Sequence, residues 1–174
     1  MSESPAPERP LDQRVFDEWP ETVRAWFDGS SLASKTGFTA SLLTVDANGH
    51  VRTSLLGVGE LYAPDSRTLC FALWPQTRTA RALAQHGRAA LSFVCDDAFY
   101  QIQLLVAPLA APAGDDSGLV YLIGSIDTAE AQSVRYARLT SGVTFELEGD
   151  KERVLDRWER QIEHLKQAAA AASR

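Results

Sequence analysis

The sequence has few cysteines and few histidines, which argues against a disulfide framework and against a metal centre. The two cysteines, Cys70 and Cys95, lie inside apolar runs and lack a Cys-x-x-Cys spacing. We therefore expect buried, reduced thiols. The histidines are too far apart along the chain to form a ligand pair; they are His50, His86 and His164. The sequence therefore predicts no metal site.

Long apolar runs and an excess of basic residues are also lacking. The longest unbroken apolar run covers 104–113, which is too short to span a bilayer. Residues 1–10 contain acids and prolines where a signal peptide needs an apolar stretch, so we interpret them as a flexible arm of a cytoplasmic protein. With 17 Lys and Arg against 23 Asp and Glu, the net charge is −6. This balance argues against general nucleic-acid binding, and we expect neither nucleic acid nor membrane as a partner.

What the sequence does contain is the composition of a globular protein, with 174 residues, 45% hydrophobic and 23% charged. This length favours a single domain, placed at 11–174, with a barrel at about 38–148 and a terminal helix at about 150–168. Apolar residues recur at steps of three and four through 11–28, which predicts an N-terminal helix, or two helices that break near Pro20. A short middle helix is predicted at 77–86, closed by a glycine.

Alternating apolar residues and turn signals predict strands through the rest of the chain. A strand at 41–45 runs into Asp46-Ala-Asn-Gly49, which is a hairpin signal because Asn-Gly tolerates positive φ. Further strands are predicted at about 50–62, 68–74, 88–95, 99–107, 119–127 and 143–147. Six or seven mainly antiparallel strands with short helices attached predict a small β-barrel, a mainly β fold with α additions.

The most informative absence is that of acidic residues between Ser66 and Cys95. This window holds no Asp or Glu but four arginines, at positions 67, 78, 81 and 88. Arg78 and Arg81 fall in the first turn and a half of the middle helix, where the helix dipole already places partial positive charge. An anion bound there resolves the conflict.

Two interpretations of these arginines remain open. In the first, a phosphate binds to the N–H groups of the helix start, to two guanidinium groups and to nearby hydroxyls. The residues would be Thr77, Arg78, Thr79 and Arg81, with Arg52 and Ser54 added from a neighbouring strand. In the second, the arginines pair with acids elsewhere, such as Glu60, Asp96 or Asp97. Beside the first site, Leu55, Leu73 and Trp74 would form an apolar wall suited to a flat ring.

The order of these segments resembles the pyridoxamine 5′-phosphate oxidase-like, FMN-binding split-barrel family. The resemblance covers about 37–108 and rests on the hairpin 46–49, the strand segments 52–59, 69–75 and 88–94, and the helix start 77–83. It implies a six-stranded antiparallel split β-barrel and a homodimer that holds FMN at the subunit interface. It also implies a flavoprotein oxidoreductase, and it leaves the substrate open.

The resemblance also assigns residues of this sequence to the cofactor. Those implied for the phosphate are Arg52, Ser54, Thr77, Arg78, Thr79 and Arg81. Those implied for the flavin ring, which lies along strand backbone, are Thr53, Leu55, Leu73 and Trp74. The second subunit would add Gln101 and Gln103, which share one face of a strand, although a solvated outer face explains them equally well. No catalytic side chain is predicted, because a flavin carries out the redox chemistry itself.

An alternative is a non-enzymatic split barrel that binds haem, or one that binds a deazaflavin in the same groove. Haem would require one of the three histidines as its iron ligand.

Overall fold

The structure is a computed structural model, which describes residues 11–174. The arm predicted at 1–10 lies outside the described residues. The strands are β1 (Leu11–Phe16), β2 (Thr39–Val45), β3 (Val51–Gly57), β4 (Leu61–Tyr62), β5 (Thr68–Leu73), β6 (Arg88–Cys95), β7 (Ala98–Leu109) and β8 (Val120–Val134). The helices are α1 (Glu21–Arg24), α2 (Arg78–His86) and α3 (Lys151–Ala172).

The strands form one antiparallel sheet in the order β3-β2-β6-β7-β8-β5-β4, and β1 pairs with β8. The strands at the two ends of this order, β3 and β4, belong to one chain segment and are joined by the 3-10 turn Val58–Glu60. The sheet therefore curls until its ends approach each other, which gives an open, split barrel. The predicted fold class, mainly β with helices added to an antiparallel split barrel, is confirmed.

Because side chains alternate along each strand, the sheet has buried residues both on its inner face and on its outer face. On β5, Leu69 and Phe71 belong to the cluster inside the barrel, whereas Cys70 lies in a second cluster on the outer side. That outer cluster is covered by α3 through Trp158, Ile162 and Leu165. The predicted terminal helix thus packs on the barrel through one apolar stripe, formed by residues three and four positions apart.

The backbone of the turn between β3 and β4 fixes the position of α3. Gly59 lies so close to the Trp158 ring that a Cβ on this glycine would overlap it. At the start of α3, Asp150 Oδ1 accepts a hydrogen bond of 3.1 Å from Arg153 N, as expected of the predicted cap. The helix extends to Ala172, a few residues beyond the prediction.

The predicted N-terminal helix is wrong for its first half. Leu11–Phe16 is a strand, whose register with β8 runs from Leu11 opposite Val134 to Phe16 opposite Ala129. Helical structure begins only after Pro20, with the short α1 and a 3-10 turn. The spacing of the apolar residues fits a helix, but the unpaired edge of β8 offers backbone partners that no local pattern reveals.

The strand count also differs from six, because β1 is added and the segment 50–62 is divided by the 3-10 turn. The strand predicted at 143–147 is wrong: this segment has no regular structure, and Phe145 and Leu147 pack against the outer cluster instead. The final strand β8 continues to Val134, beyond the predicted 127. The middle helix is confirmed, with Thr77 as N-cap and Gly87 at φ +59° as C-cap.

Candidate functional site

A groove of about 600 Å³ opens at the rim of the barrel. One wall is formed by residues of β3, of the end of β5 and of the turn before α2: Ser54, Leu56, Leu73, Trp74 and Thr77. The opposite wall is formed by α3 and by the loop before β8, through Arg157, Arg160, Gln161, His164, Asp116, Ser117 and Leu119. Glu60, Ala72 and Tyr121 also line the groove. The groove therefore contains four of the predicted site residues and several that the prediction did not include.

Three hydroxyls converge where β3 meets the start of α2. Ser54 Oγ lies 2.6 Å from Thr79 Oγ1, and Thr79 is only 4% exposed. Thr77 Oγ1 accepts a hydrogen bond from Ala80 N at 3.1 Å and donates one to the Trp74 carbonyl at 2.9 Å. These bonds tie the strand, the turn and the first turn of the helix together, and they already give each hydroxyl and the Ala80 N–H a partner within the chain.

The arginines of the acid-free window divide into two groups. Arg67 forms ion pairs with Asp17 at 3.0 Å and Glu18 at 3.2 Å, so the pairing interpretation holds for this residue. Arg78 and Arg81 are exposed, and within residues 11–174 neither forms an ion pair. The phosphate interpretation remains for these two residues.

Arg52, on β3, is held by the hairpin that precedes it. Its Nε donates to Asp46 Oδ2 at 2.8 Å. This bond and backbone N–H groups of the turn lower the pKa of Asp46 to about 2. Arg52 thus lies on the same strand face as Ser54 but already has an anionic partner.

Two carboxyl groups near the groove are also held by the protein. Glu60 Oε2 accepts the Gly57 N–H at 2.7 Å, and burial raises the pKa of Glu60, although Arg157 acts in the opposite direction. The Asp115 side chain is 4% exposed and lies 3.4 Å from His164 Nδ1. Burial alone would raise the pKa of Asp115, but hydrogen bonds from Ser117 outweigh this effect and lower it.

The remaining predicted residues do not line this groove. Among them are three residues of α2, Arg78, Thr79 and Arg81, and Arg52 on β3. Thr53 and Leu55 lie on the opposite face of β3 from Ser54, and Leu55 is 56% exposed. Gln101 and Gln103 line a different groove of about 760 Å³ on the outer face of the sheet. Within one chain, the structure therefore separates the two glutamines from the start of α2.

The residues of α3 that line the groove were not predicted from the sequence. Arg157, Arg160 and His164 follow one another at steps of three and four, so they form a polar stripe beside the apolar stripe of the same helix. This periodicity was the available signal. It did not reveal which surface the stripe faces.

Several other features bear on the chemistry of the site. Both cysteines are free and buried, and burial raises the pKa of Cys70 to about 12 and that of Cys95 to about 11. In the described range 11–174, no three His, Cys, Asp or Glu side chains cluster in a way that could hold a metal ion. Within that same range, no helix has both the length and the apolar character needed to cross a membrane.

Solved structures similar to this chain include a pyridoxinephosphate oxidase family protein, an FMN-binding protein and a haem storage protein. One is a Clostridium acetobutylicum protein of the pyridoxinephosphate oxidase family, with 15% identity, a TM-score of 0.47 and coverage of 70% of this chain and 94% of the other. Another is an FMN-binding protein from Syntrophomonas wolfei, with 17% identity, a TM-score of 0.41 and coverage of 62% and 86%. A third is HutZ, the haem storage protein of Vibrio cholerae, with 11% identity, a TM-score of 0.41 and coverage of 51% and 81%.

No protein-family model matches the sequence. The uncharacterized protein YclD of Bacillus subtilis is 30% identical to it over 139 residues, which cover 80% of this chain and 90% of YclD. Identity of this degree along most of both sequences shows common descent. The chain belongs to the same protein family as YclD of Bacillus subtilis.

Proposed function

We propose that the chain binds FMN, with the phosphate at the start of α2, and acts as an FMN-dependent oxidoreductase. The observation that carries the proposal is that Arg78 and Arg81, at the start of α2, have no ion-pair partner among the described residues, while the Ser54–Thr79 hydroxyl pair joins β3 to the same helix start. The first N–H groups of a helix have no acceptor within it, and they favour an anion. Two guanidinium groups there add charge-assisted hydrogen bonds.

The groove suits the ring system of the cofactor. Its volume of about 600 Å³ falls within the range of small-molecule sites, roughly 300–1,000 Å³. Leu73, Trp74 and Leu119 provide apolar surface, and Trp74 is 56% exposed. When bound, FMN supplies the hydride or electron transfer, and the protein supplies binding and orientation.

The functional unit we propose is a homodimer formed through the outer face of the sheet. Val15 and Val45, both on outer-face positions, are 67% and 49% exposed. Gln101 and Gln103 line the groove on this face, and their side chains form no hydrogen bond among residues 11–174. A second subunit on this face would cover the valines and bring its Gln101 and Gln103 towards the cofactor.

The test is a visible spectrum of the purified protein, followed by titration of the apoprotein with FMN. We expect a flavin absorption band and saturable quenching of FMN fluorescence, with one FMN per chain. Absence of flavin absorbance after reconstitution, together with unquenched FMN fluorescence, would contradict the proposal.

Haem is the second candidate ligand, because His164 lines the groove. Its Nδ1 lies 3.4 Å from both Asp115 Oδ1 and Tyr121 Oη, which leaves only Nε2 to bind iron. A Soret band in place of the flavin spectrum would decide for haem. Mass spectrometry of the released cofactor would distinguish FMN from a deazaflavin.

A further inference from the structure

The α3 wall of the groove carries a second pair of arginines spaced three residues apart. Arg157 and Arg160 line the groove, and within residues 11–174 neither forms an ion pair within 4 Å. On its own helix, Arg160 has Asp156 four residues before it and Glu163 three residues after it, positions that suit ion pairs. The arginine instead lines the groove beside another cation, and like charges at this spacing repel each other.

The carboxyl groups near this wall do not fully balance the two arginines. Glu60 is held by the Gly57 N–H, and Arg157 is close enough to act on its pKa. Asp115 is buried against Ser117 and His164, and Asp116 is an exposed loop residue. Neither arginine is therefore paired directly with a described carboxyl group, and the effect of Arg157 on Glu60 is a longer-range one.

We propose that Arg157 and Arg160 form a second anion subsite, which binds the carboxylate or phosphate group of the organic substrate. Arginine forms paired, charge-assisted hydrogen bonds with either group. The apolar part of the substrate would lie against Trp74 and Leu119, which line the same groove. The inference rests on the proposed function, because the substrate would then meet the flavin between the two walls.

The subsite is distinct from the proposed cofactor phosphate site. The hydroxyl pair Ser54–Thr79 belongs to β3 and α2, whereas Arg157 and Arg160 belong to α3 on the opposite wall. Arg157 and Arg160 line the groove itself, whereas Arg78 and Arg81 lie outside its lining, so two anionic groups need not share one set of cations. The flavin phosphate and the substrate would each bind to one of these two pairs of arginines.

The test uses three probes that share a phenyl ring: benzoate, phenyl phosphate and neutral benzamide. Their binding to the FMN-loaded protein and to the apoprotein is measured by calorimetry. We expect at least one anionic probe to bind about tenfold more tightly than benzamide, the difference of about one charge-assisted hydrogen bond. The stronger of the two anions identifies the group as carboxylate or phosphate.

The double variant Arg157→Gln/Arg160→Gln should lose this preference and retain FMN affinity. Arg153→Gln is the matched control, because Arg153 is an exposed arginine of α3 that does not line the groove. An equal affinity of the wild-type protein for all three probes would overturn the inference. A double variant that loses FMN as strongly as a variant of Arg78 would also overturn it, since α3 would then hold the cofactor.

Failure of the proposed function gives a different result. If no FMN binds, the proposed function fails, and the apoprotein still reports whether the anionic probes are preferred. A preference that survives in the double variant would show that another group binds the anion.

Discussion

The groove at the barrel rim and the outer face of the sheet are both concave surfaces, but their polar groups are arranged differently. In the groove, polar atoms meet partners from the same chain: Ser54 bonds to Thr79, and His164 contacts Asp115. On the outer face, the side chains of Gln101 and Gln103 line a groove without a hydrogen-bond partner in the described part of the chain. The rim groove is thus organised by this chain alone.

The apolar residues make the same distinction. The core of the barrel is closed by α2 and the outer cluster by α3, whereas Val15 on the outer sheet face remains 67% exposed. An exposed apolar surface of this kind favours a protein partner. The two surfaces therefore differ: the rim groove is lined by polar groups already bonded within this chain, whereas the outer sheet face leaves apolar side chains exposed.

The largest effect should come from removing the anchor of the α3 wall. Trp158→Ala deletes a ring that is 5% exposed and packs against Gly59, so we expect a loss of about 3–5 kcal/mol in the free energy of unfolding. Chemical denaturation measures this loss. The exposed Arg153→Ala on the same helix should change the free energy by less than about 0.5 kcal/mol. A similar loss in both variants would mean that α3 is not anchored through the tryptophan.

The next largest effect is expected on FMN affinity, at the proposed phosphate site at the start of α2. Arg78→Ala should weaken FMN binding by about 1.5–3 kcal/mol, because one charge-assisted hydrogen bond to the phosphate is lost. The change is measured by fluorescence titration. Arg67→Ala is the control, since Arg67 lies in the same acid-free window but is paired with Asp17 and Glu18. Unchanged FMN affinity in the Arg78 variant would place the phosphate elsewhere.

The elements that could be predicted from the sequence are those whose contacts are local along the chain. The helix α2, its C-cap Gly87 and the hairpin at Asp46 depend on neighbours in sequence, and all three are where the pattern predicted them. The first strand and the α3 wall depend on contacts across the fold. Leu11–Phe16 has the spacing of a helix but pairs with β8, more than a hundred residues away along the chain.

In the candidate site, the sequence predicts which residues share a strand face but not which side chains they contact. Alternation correctly predicts that Arg52 and Ser54 share one face of β3. It cannot show that Asp46 reaches Arg52 while Thr79 reaches Ser54, because these partners come from a turn and from a helix. Charge counts along the sequence show that the window between Ser66 and Cys95 lacks acidic residues. They do not show which of its arginines forms an ion pair with an acidic residue outside the window.

A smaller effect is expected at the outer face. Val15→Asp places a charge on the proposed dimer surface, so the dissociation constant of the dimer should rise at least about tenfold. Sedimentation equilibrium over a range of protein concentrations measures the average mass, and from it the dissociation constant of the dimer. The free energy of unfolding of the monomer should change little, because the side chain is 67% exposed. Ala110→Asp, in an exposed loop, is the matched control. A dimer of unchanged stability in the Val15 variant would assign the interface to another surface.

The smallest effect on the cofactor should come from Arg52, because its guanidinium is already paired with Asp46 at 2.8 Å. We expect Arg52→Gln to weaken FMN binding only about three- to fivefold, less than Arg78→Ala, since the carboxylate of Asp46 competes with the phosphate for this guanidinium. The same variant should raise the pKa of Asp46 from about 2 towards 3.8, which NMR titration of the carboxyl group measures.

The direction of the pH dependence follows from this shift. Because the pKa of Asp46 is lower in the folded protein, its carboxylate stabilises the hairpin above about pH 3.8, and the contribution disappears as the pH falls towards 2. Arg52→Gln should remove most of this acid-side transition, because Arg52 is the largest cause of the shift. If Arg52→Gln instead lost as much FMN affinity as Arg78→Ala, Arg52 would have to leave Asp46 when the cofactor binds. The phosphate would then lie nearer β3 than the helix start, and the wall formed by α2 would no longer be the main cofactor contact.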